Sequence, residues 1–273
     1  DAVENQTAAA TVVATDTDQG DTVTFSLTGG ADAALFDIDG STGALTFKVV
    51  PDFEVPTDGD GNNTYIVEVT VGDGTDTAVQ TLTVTVTDGN DAPVITSADA
   101  VDAAENQLVA ATVTATDTDA GDTLTYTLTG GADTALFDID GATGALTFKA
   151  APDFEVPADG DGNNTYIVEV TVGDGTDTAV QTLTVTVTDG NDAPVFTSVD
   201  TANVVENQTA VATVTATDAD PGDSLTYTLT GGADQALFDI DPANGVLTFK
   251  AAPDFETPAD VDGNNTYIVA VTV

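Results

Sequence analysis

The 273-residue chain carries 47 Asp and Glu residues against three Lys, for a formal net charge of −44. A charge of this sign excludes a nucleic-acid binder, disfavours docking on anionic lipid and leaves cations as the expected partners. Cys and His are absent, so disulfides cannot stabilise the fold, and Ser-His-Asp or Cys-His catalytic centres are excluded.

The chain repeats itself at a period of 101 residues. Residues 58–94 return letter for letter as residues 159–195, and Glu4, Glu105 and Glu206 keep the same interval. Self-similarity at a fixed period is the sequence signature of a repeat architecture. We therefore predict three tandem modules, at residues 1–92, 93–193 and 194–273, of which the first lacks its start and the third stops before its last strand.

Within each module the apolar residues recur at every second position, which is the period of a strand with one buried face. In "TYIVEVTV", for example, Tyr65, Val67 and Val69 share one face. The turn-prone residues Gly, Asp and Asn separate such runs. In chain order, the first module has predicted strands at residues 8–15, 22–28, 34–39, 43–48, 64–71 and 81–87.

These patterns predict about seven short strands per module and no helix. Many short strands with one apolar face, within about 100 residues per unit, are typical of an all-β fold. We expect each module to be a two-sheet antiparallel β-sandwich with Greek-key connections, Ig-like in architecture. Tandem sandwiches of this kind would form an elongated rod.

The acidic residues outside the predicted strands occupy the same places in every module, at strand ends and in connections. A sandwich places strand ends and connections at its two poles. The carboxylates of one module would therefore face those of the next. Two carboxylates about 5 Å apart repel by roughly 3 kcal/mol at an effective dielectric near 20. Ca²⁺ is the best counterion, because it takes about six to eight oxygen ligands in loose geometry, whereas zinc and copper prefer the absent Cys and His, and Mg²⁺ keeps its waters.

The order of the motifs resembles the cadherin repeat. That repeat carries the signatures x-E-N, D-x-D, D-x-E and D-x-N-D-x-P, and this chain has "VEN", "ATDTD", "DFE" and "DGNDAPV" at matching spacing, with "FDID" and "VGDG" between them. The composition and the near-identity of the copies resemble the cadherin-like modules of large bacterial surface or secreted adhesins. One departure is Ala92, and Ala193 in the next copy, where the family usually has a second Asn.

The resemblance implies calcium ions between modules, with ligands from the end of one module, the connection and the start of the next. For the first junction the implied ligands are Glu4, Asp52, Glu54, Asp88, Asn90, Asp91, Asp117, Asp119 and Asp174. For the second junction they are Glu105, Asp153, Glu155, Asp189, Asn191, Asp192, Asp218 and Asp220, with the counterpart of Asp174 beyond Val273.

Residues 57–63, "TDGDGNN", lengthen a connection that is short in most cadherin repeats. Asp58, Asp60 and Asn62 alternate as in a calcium loop, but the Gly at position six and the closing Glu at position twelve are missing. An Asx-rich turn is the favoured interpretation, and a separate ion stays the alternative. We expect Tyr65 to pack in the core and Lys48 to pair with a neighbouring acid.

The function expected from these features is a calcium-binding, calcium-stiffened stalk or adhesion segment of a larger extracellular or cell-surface protein. Its partners would be calcium ions, neighbouring repeats and cell-surface molecules. The alternative is a module that binds a polysaccharide or another copy of itself through a sheet face. Enzymatic activity is not expected, because only carboxylate pairs remain as catalytic groups and aromatic residues amount to 6%.

Overall fold

The structure, a computed structural model, describes residues 1–18 and 20–273 and is all-β in that part of the chain. In the first repeat the strands are β1 Ala2–Val3, β2 Ala8–Thr11, β3 Thr24–Gly29, β4 Phe36–Ile38, β5 Ala44–Phe47, β6 Thr64–Gly72 and β7 Thr77–Thr87. In the second they are β8 Val94–Ile95, β9 Ala100–Ala104, β10 Val109–Thr112, β11 Ala115–Thr116, β12 Thr125–Gly130, β13 Phe137–Ile139, β14 Ala145–Phe148, β15 Thr165–Gly173 and β16 Thr178–Thr188. In the third they are β17 Val195–Phe196, β18 Ala210–Thr213, β19 Ala216–Thr217, β20 Thr228–Gly231, β21 Phe238–Ile240, β22 Val246–Phe249 and β23 Ala270–Thr272. Single 3₁₀ turns lie at Ala33–Leu35, Thr134–Leu136 and Gln235–Leu237.

Each of the first two repeats is a sandwich of two main sheets. In repeat 1 the sheets have the strand orders β1-β7-β6-β3 and β2-β5-β4, and repeat 2 has the corresponding orders β9-β16-β15-β12 and β10-β14-β13. Repeat 3 has the sheet β18-β22-β21 and the pair β20-β23. These orders have the Greek-key character expected from the sequence. The all-β prediction is thus confirmed.

One pairing differs from the expectation of wholly antiparallel sheets. β1 runs parallel to β7, with Val3 opposite Thr87, and β9 runs parallel to β16 in repeat 2. Alternation predicts no strand at these positions, because the first strand of each repeat is short. The parallel pairing matters for the site, since it carries the start of each repeat to the end of its last strand.

Two strand predictions were too long by about three residues or more. Residues 8–15 were expected to form one strand, but β2 ends at Thr11, and the following Val12 is buried and donates its N–H to the carbonyl of Gly43 at 2.8 Å. Residues 34–39 begin as a 3₁₀ turn, and only Phe36–Ile38 pairs as a strand. The first segment therefore stays beside β5 after the strand ends, and in the second the N–H of Leu35 donates to the Asp32 carbonyl at 2.9 Å within the 3₁₀ turn rather than to a neighbouring strand.

The core of each repeat is built around one aromatic trio. In repeat 1 the rings of Phe36, Phe47 and Tyr65 lie with centroids 4.3 to 5.9 Å apart, and Tyr65 is fully buried. The Tyr65 hydroxyl accepts the N–H of Thr57 at 3.3 Å, which satisfies its polar end. Tyrosine packing was expected and is found, because offset and edge-to-face contacts suit buried aromatic rings.

The three cores are separate clusters. Buried residues of repeat 1 contact one another between Ala2 and Val86, and those of repeat 2 between Ala103 and Val187. Repeat 3 has a smaller cluster of Phe238, Leu247 and Phe249. No helix in the described residues is long and apolar enough to span a membrane.

Replacing Gly131 with Ala should destabilise repeat 2. Gly131 has φ +99°, and a Cβ there would lie 2.4 Å from the Ile167 carbonyl oxygen and 2.5 Å from Val168 Cα. We expect Gly131→Ala to lower the unfolding free energy of repeat 2 by about 2 kcal/mol or more, through strain and backbone displacement. Amide exchange of the β15 core provides the measurement.

The matched control is Gly160→Ala, at a position where an added Cβ meets nothing within 4 Å. It should change the same free energy by less than about 0.5 kcal/mol. Equal exchange rates in the two variants would contradict the assignment of Gly131 to a close backbone approach.

Candidate metal centre

A buried glutamate joins two segments at the pole of repeat 1 that faces repeat 2. Glu4 follows β1 directly and is 2% exposed. Its Oε2 accepts the N–H of Phe53 at 2.6 Å, and its Oε1 accepts the N–H of Gly89 at 2.7 Å. We call residues 52–54 the acidic arm and residues 88–91 the linker. Through one carboxylate, Glu4 therefore holds the acidic arm against the linker.

The linker makes direct contacts to repeat 2. The N–H of Asp91 donates to Asp119 Oδ2 at 2.7 Å, and the hydroxyl of Thr118 donates to Asp91 Oδ2 at 3.0 Å. Asn90 Nδ2 donates to Asp174 Oδ2 at 3.1 Å and to Asp177 Oδ2 at 2.8 Å. These hydrogen bonds place acids of both repeats around the same linker.

The carboxylates at this junction converge closely enough to share an ion. Each of three sets offers one oxygen per residue with all oxygens within 4.8 Å of one another: Glu4, Glu54 and Asp91; Glu54, Asp88 and Asp119; Asp117, Asp119 and Asp122. Because the sets share Glu54 and Asp119, they form one continuous group that runs from the arm through the linker to repeat 2.

Several oxygens of this group are buried and have no hydrogen-bond partner. They are Glu54 Oε2, Asp117 Oδ2 and Asp119 Oδ1, and at the next junction both oxygens of Glu155. A buried carboxylate oxygen without a donor carries an uncompensated desolvation cost. Oxygen ligands in an irregular arrangement suit a hard cation such as Ca²⁺, so the residues present fit that ion.

The pKa values indicate electrostatic stress within this group of carboxylates. Burial raises the pKa of Glu54, and the negative charges of Glu4, Asp88 and Asp91 raise it further. Burial also raises the pKa of Asp88 and Asp122, and in both cases the charge of Asp119 adds to the effect. Desolvation and like charges therefore act together against ionisation at this pole.

The second junction repeats these contacts. Glu105 accepts the N–H groups of Phe154 and Gly190, both at 2.7 Å, and the N–H of Asp192 donates to Asp220 Oδ2 at 2.6 Å. Glu105, Asp153 and Glu155 form a set with oxygens within 4.8 Å. Burial raises the pKa of Asp189, and the charges of Asp220 and Glu105 raise it further.

The residues predicted for the junctions differ in their surroundings. Asp52 is exposed, and its Oδ1 accepts the N–H of Val55 at 2.8 Å, which shapes the arm. Asp174 uses Oδ1 to accept two N–H groups of its own turn. Asn191 donates to the Asp192 carbonyl at 2.8 Å, and Asp220 donates its N–H to Asp218.

Sequence reasoning missed two residues of the first junction, Asp122 and Asp177. Asp122 lies with Asp117 and Asp119, and Asp177 accepts a hydrogen bond from Asn90. Both recur at the 101-residue period, so the repeat itself was a signal that could have revealed them.

The loop of residues 58–63 forms an Asx-rich turn. The carboxylate of Asp58 accepts the N–H of Asn62 at 2.8 Å and that of Asn63 at 3.2 Å. The neighbouring carboxylate of Asp58 raises the pKa of Asp60. Outside the loop, Lys48 contacts Asp37 at 3.8 Å across the surface, as expected for an isolated cation among acids.

Comparison with known proteins identifies the family. Two copies of the family model described as "Bacterial Ig domain" match residues 90–188 and 191–272, which together make up more than half of the chain. The chain therefore belongs to the bacterial Ig domain family, and its repeats are cadherin-like.

Two curated relatives carry cadherin names. The human Protocadherin Fat 4 is 36% identical over 155 residues, 54% of this chain and 3% of that protein. The mouse Cadherin EGF LAG seven-pass G-type receptor 1 is 32% identical over 168 residues, 59% of this chain and 5% of that protein. The chain thus spans only a small fraction of the length of these relatives.

Solved cadherin structures share the fold. A structure of human CDH23 EC21-23 superposes with a TM-score of 0.51 at 24% identity, covering 100% of this chain and 96% of the other. Mouse Cadherin-23 EC22-24 gives a TM-score of 0.50 at 23% identity, covering 93% of this chain and 85% of the other. At these identities the likeness concerns the fold alone.

With calcium removed by a chelator, the chain should become more heat-stable as the pH falls from about 7 to about 5. The pKa values of Glu54, Asp88 and Asp122 are raised on folding above ordinary values of 4.5, 3.8 and 3.8. Above those values these three groups bind more protons in the folded chain than in the unfolded chain, so their contribution to stability decreases as the pH rises. Thermal melts followed by circular dichroism across this range provide the measurement.

Saturating calcium is the control, since an ion bound at these oxygens would compete with protons and should reverse the slope. A chelated chain that becomes more stable towards neutral pH would contradict the electrostatic account of the pole.

Proposed function

We propose that this chain is a calcium-binding, calcium-stiffened segment of an extracellular adhesion or stalk protein. The observation that carries the proposal is the group of buried carboxylate oxygens without hydrogen-bond partners at the linker, on Glu54, Asp117 and Asp119. Such oxygens are costly unless a cation or a donor satisfies them. The module boundaries after residues 92 and 193 belong to the same proposal, because they place the linker between two folded units.

The residues that would hold calcium come from three places. The arm would supply Asp52 and Glu54 together with Glu4, the linker Asp88, Asn90 and Asp91, and repeat 2 Asp117, Asp119, Asp122 and Asp174. When bound, the ion supplies positive charge and oxygen coordination between two poles that otherwise repel each other. Glu4 orients the arm and the linker, while Asp119 receives the linker N–H that aligns repeat 2.

The proposed stiffening by calcium rests on the absence of a shared apolar core between the described parts of neighbouring repeats. The three buried clusters draw on separate repeats, so among the described residues no continuous apolar core crosses the linker. Repeats connected mainly through a polar linker are expected to move relative to each other. Neutralising the acids that face each other across the linker would favour one geometry.

An extracellular location suits the affinity of such sites, which is typically about 10⁻⁴ to 10⁻³ M in extracellular modules. Ions at that affinity bind outside cells and dissociate at cytosolic calcium concentrations. The cadherin names of the curated relatives support an adhesion role at a cell surface, with neighbouring repeats and other surface molecules as partners. We propose no catalytic role, because the acidic group lies around a linker rather than in a cleft lined with aromatic residues.

A second candidate function is binding through the outer face of the larger sheet. This face is rich in hydroxyl groups, with Thr28 and Thr70 in contact at 2.7 Å, and it exposes Ile66 by 40% and Val79 by 58%. Repeat 2 presents the same face, with Ile167 and Val180 exposed to the same extent. A polysaccharide or a second copy of the chain would be the ligand of such a surface.

Calcium should lengthen the chain in solution. Small-angle scattering, titrated from chelated to several millimolar calcium, should show a larger and better-defined maximum dimension as the junctions become rigid. Magnesium at equal concentrations is the control, because it prefers fewer protein ligands and retains water. A scattering profile that does not respond to calcium would reject the stiffening role and favour the sheet-face alternative.

Asp119→Asn should weaken calcium binding at the first junction by at least about tenfold, because it removes one carboxylate charge facing the ion. Asn keeps an oxygen that can accept the N–H of Asp91. The matched control is Asp18→Asn, at the same position of repeat 1, where Asp18 donates its N–H to Asp16 and lies outside the first junction. Calorimetric titration of both variants with calcium provides the measurement. Equal calcium affinities would contradict the proposed ligand role of Asp119.

A further inference from the structure

We propose that Asn63 positions the acidic arm, so that the loop of residues 58–63 sets the calcium affinity of the following junction. Asn164 has the same role toward residues 153–155 of repeat 2. This inference rests on the proposed calcium function. Neither asparagine was among the residues predicted for the site. In the cadherin-like frame this loop is an extra segment.

Asn63 is hydrogen-bonded to the middle residue of the acidic arm, Phe53. Its Nδ2 donates to the carbonyl of Phe53 at 2.8 Å, and Asn164 makes the same contact to Phe154 at 2.8 Å. On the other side of the residue, the N–H of Phe53 donates to Glu4. Phe53 is thus held through both of its peptide groups, and the next residue is Glu54, whose carboxylate lies in the acidic group.

Asn63 is itself tied to the strand that leads into the linker. Its carbonyl accepts the N–H of Val86 at 2.9 Å, and Asn164 accepts that of Val187 at 2.8 Å. The Asn63 N–H donates to Asp58. One buried residue, 8% exposed, therefore connects the loop, the arm and the end of β7.

The residue type follows from two demands at this position. The backbone of Asn63 has φ 61°, a left-handed conformation that asparagine and glycine tolerate better than other residues. The contact to Phe53 needs an N–H donor, which Asn has and Gly or Asp lacks. Since Asn63 Oδ1 has no partner, the Nδ2 contact is what fixes the side-chain orientation.

The remainder of the loop is anchored to the sandwich. The buried Asp32 accepts the N–H of Ile66 at 2.7 Å and that of Gly59 at 3.4 Å. Tyr65 accepts the N–H of Thr57 just before the loop. An anchored loop can hold the arm in place before an ion arrives, which lowers the ordering cost of coordination.

Asn63→Gly tests the role, because glycine keeps the left-handed backbone and removes only the side-chain donor. The matched control is Asn265→Gly in repeat 3. There the same contact to Phe255 spans 3.0 Å, but the segment around Phe255 belongs to neither of the two junctions described above. We expect Asn63→Gly to weaken calcium binding at the first junction by about three- to tenfold in calorimetric titrations, the value of one lost hydrogen bond. Asn265→Gly should leave that affinity unchanged.

A second measurement needs no calcium. In the chelated protein, Asn63→Gly should accelerate amide exchange at residues 53 and 55, while the β6 core exchanges as in the parent chain. If the glycine variant fails to fold, Tyr65→Phe releases the start of the loop with an isosteric ring and should weaken calcium binding in the same direction.

The outcomes separate the two proposals. Calcium affinity that is equal in Asn63→Gly and Asn265→Gly, or in Tyr65→Phe and the parent where that variant is used, overturns the positioning role while leaving the calcium function intact. A parent chain that binds no calcium rejects both the function and this inference.

Discussion

The buried carboxylate of Glu4, repeated by Glu105, is the contact on which each junction depends. A carboxylate removed from water is stable only when its oxygens are well satisfied. Glu4 meets this need by accepting one N–H from the arm and one from the linker. Because both donors are backbone groups, the contact fixes chain geometry rather than side-chain positions, and other acids are oriented around it.

The distribution of charge follows from the same arrangement. The strands bury Val, Leu, Phe and Tyr on one face and present mainly Thr on the other, so the sandwich leaves its acids to the poles and connections. Each repeat has its own core of buried residues, separate from those of its neighbours. Electrostatic stress can therefore accumulate at the linker without unfolding the repeats, and a cation can relieve it where two poles meet.

Much of the site could be predicted from the sequence because its motifs recur at one period. Glu4, Glu54, Asp88 and Asp119 were found from the repeat and the cadherin resemblance, and the structure brings them into one group. Asp122 and Asp177 were overlooked because they lie outside the family signatures. Asn63 had no signal of its own, since a loop asparagine is usually only a turn residue.

The sequence by itself determined the number of repeats, the alternation that makes them β-sandwiches and the acidic segments at the strand ends. These features are local, because side chains two residues apart share a face whatever strand lies beside them. Only the tertiary structure decided which segments meet. The parallel pairing of β1 with β7 carries Glu4 to the linker, and the fold of residues 58–63 brings Asn63 onto Phe53. Such contacts join residues far apart in the chain, such as Gly89 and Glu4, which are 85 positions apart, and they depend on strand pairing that alternation does not encode.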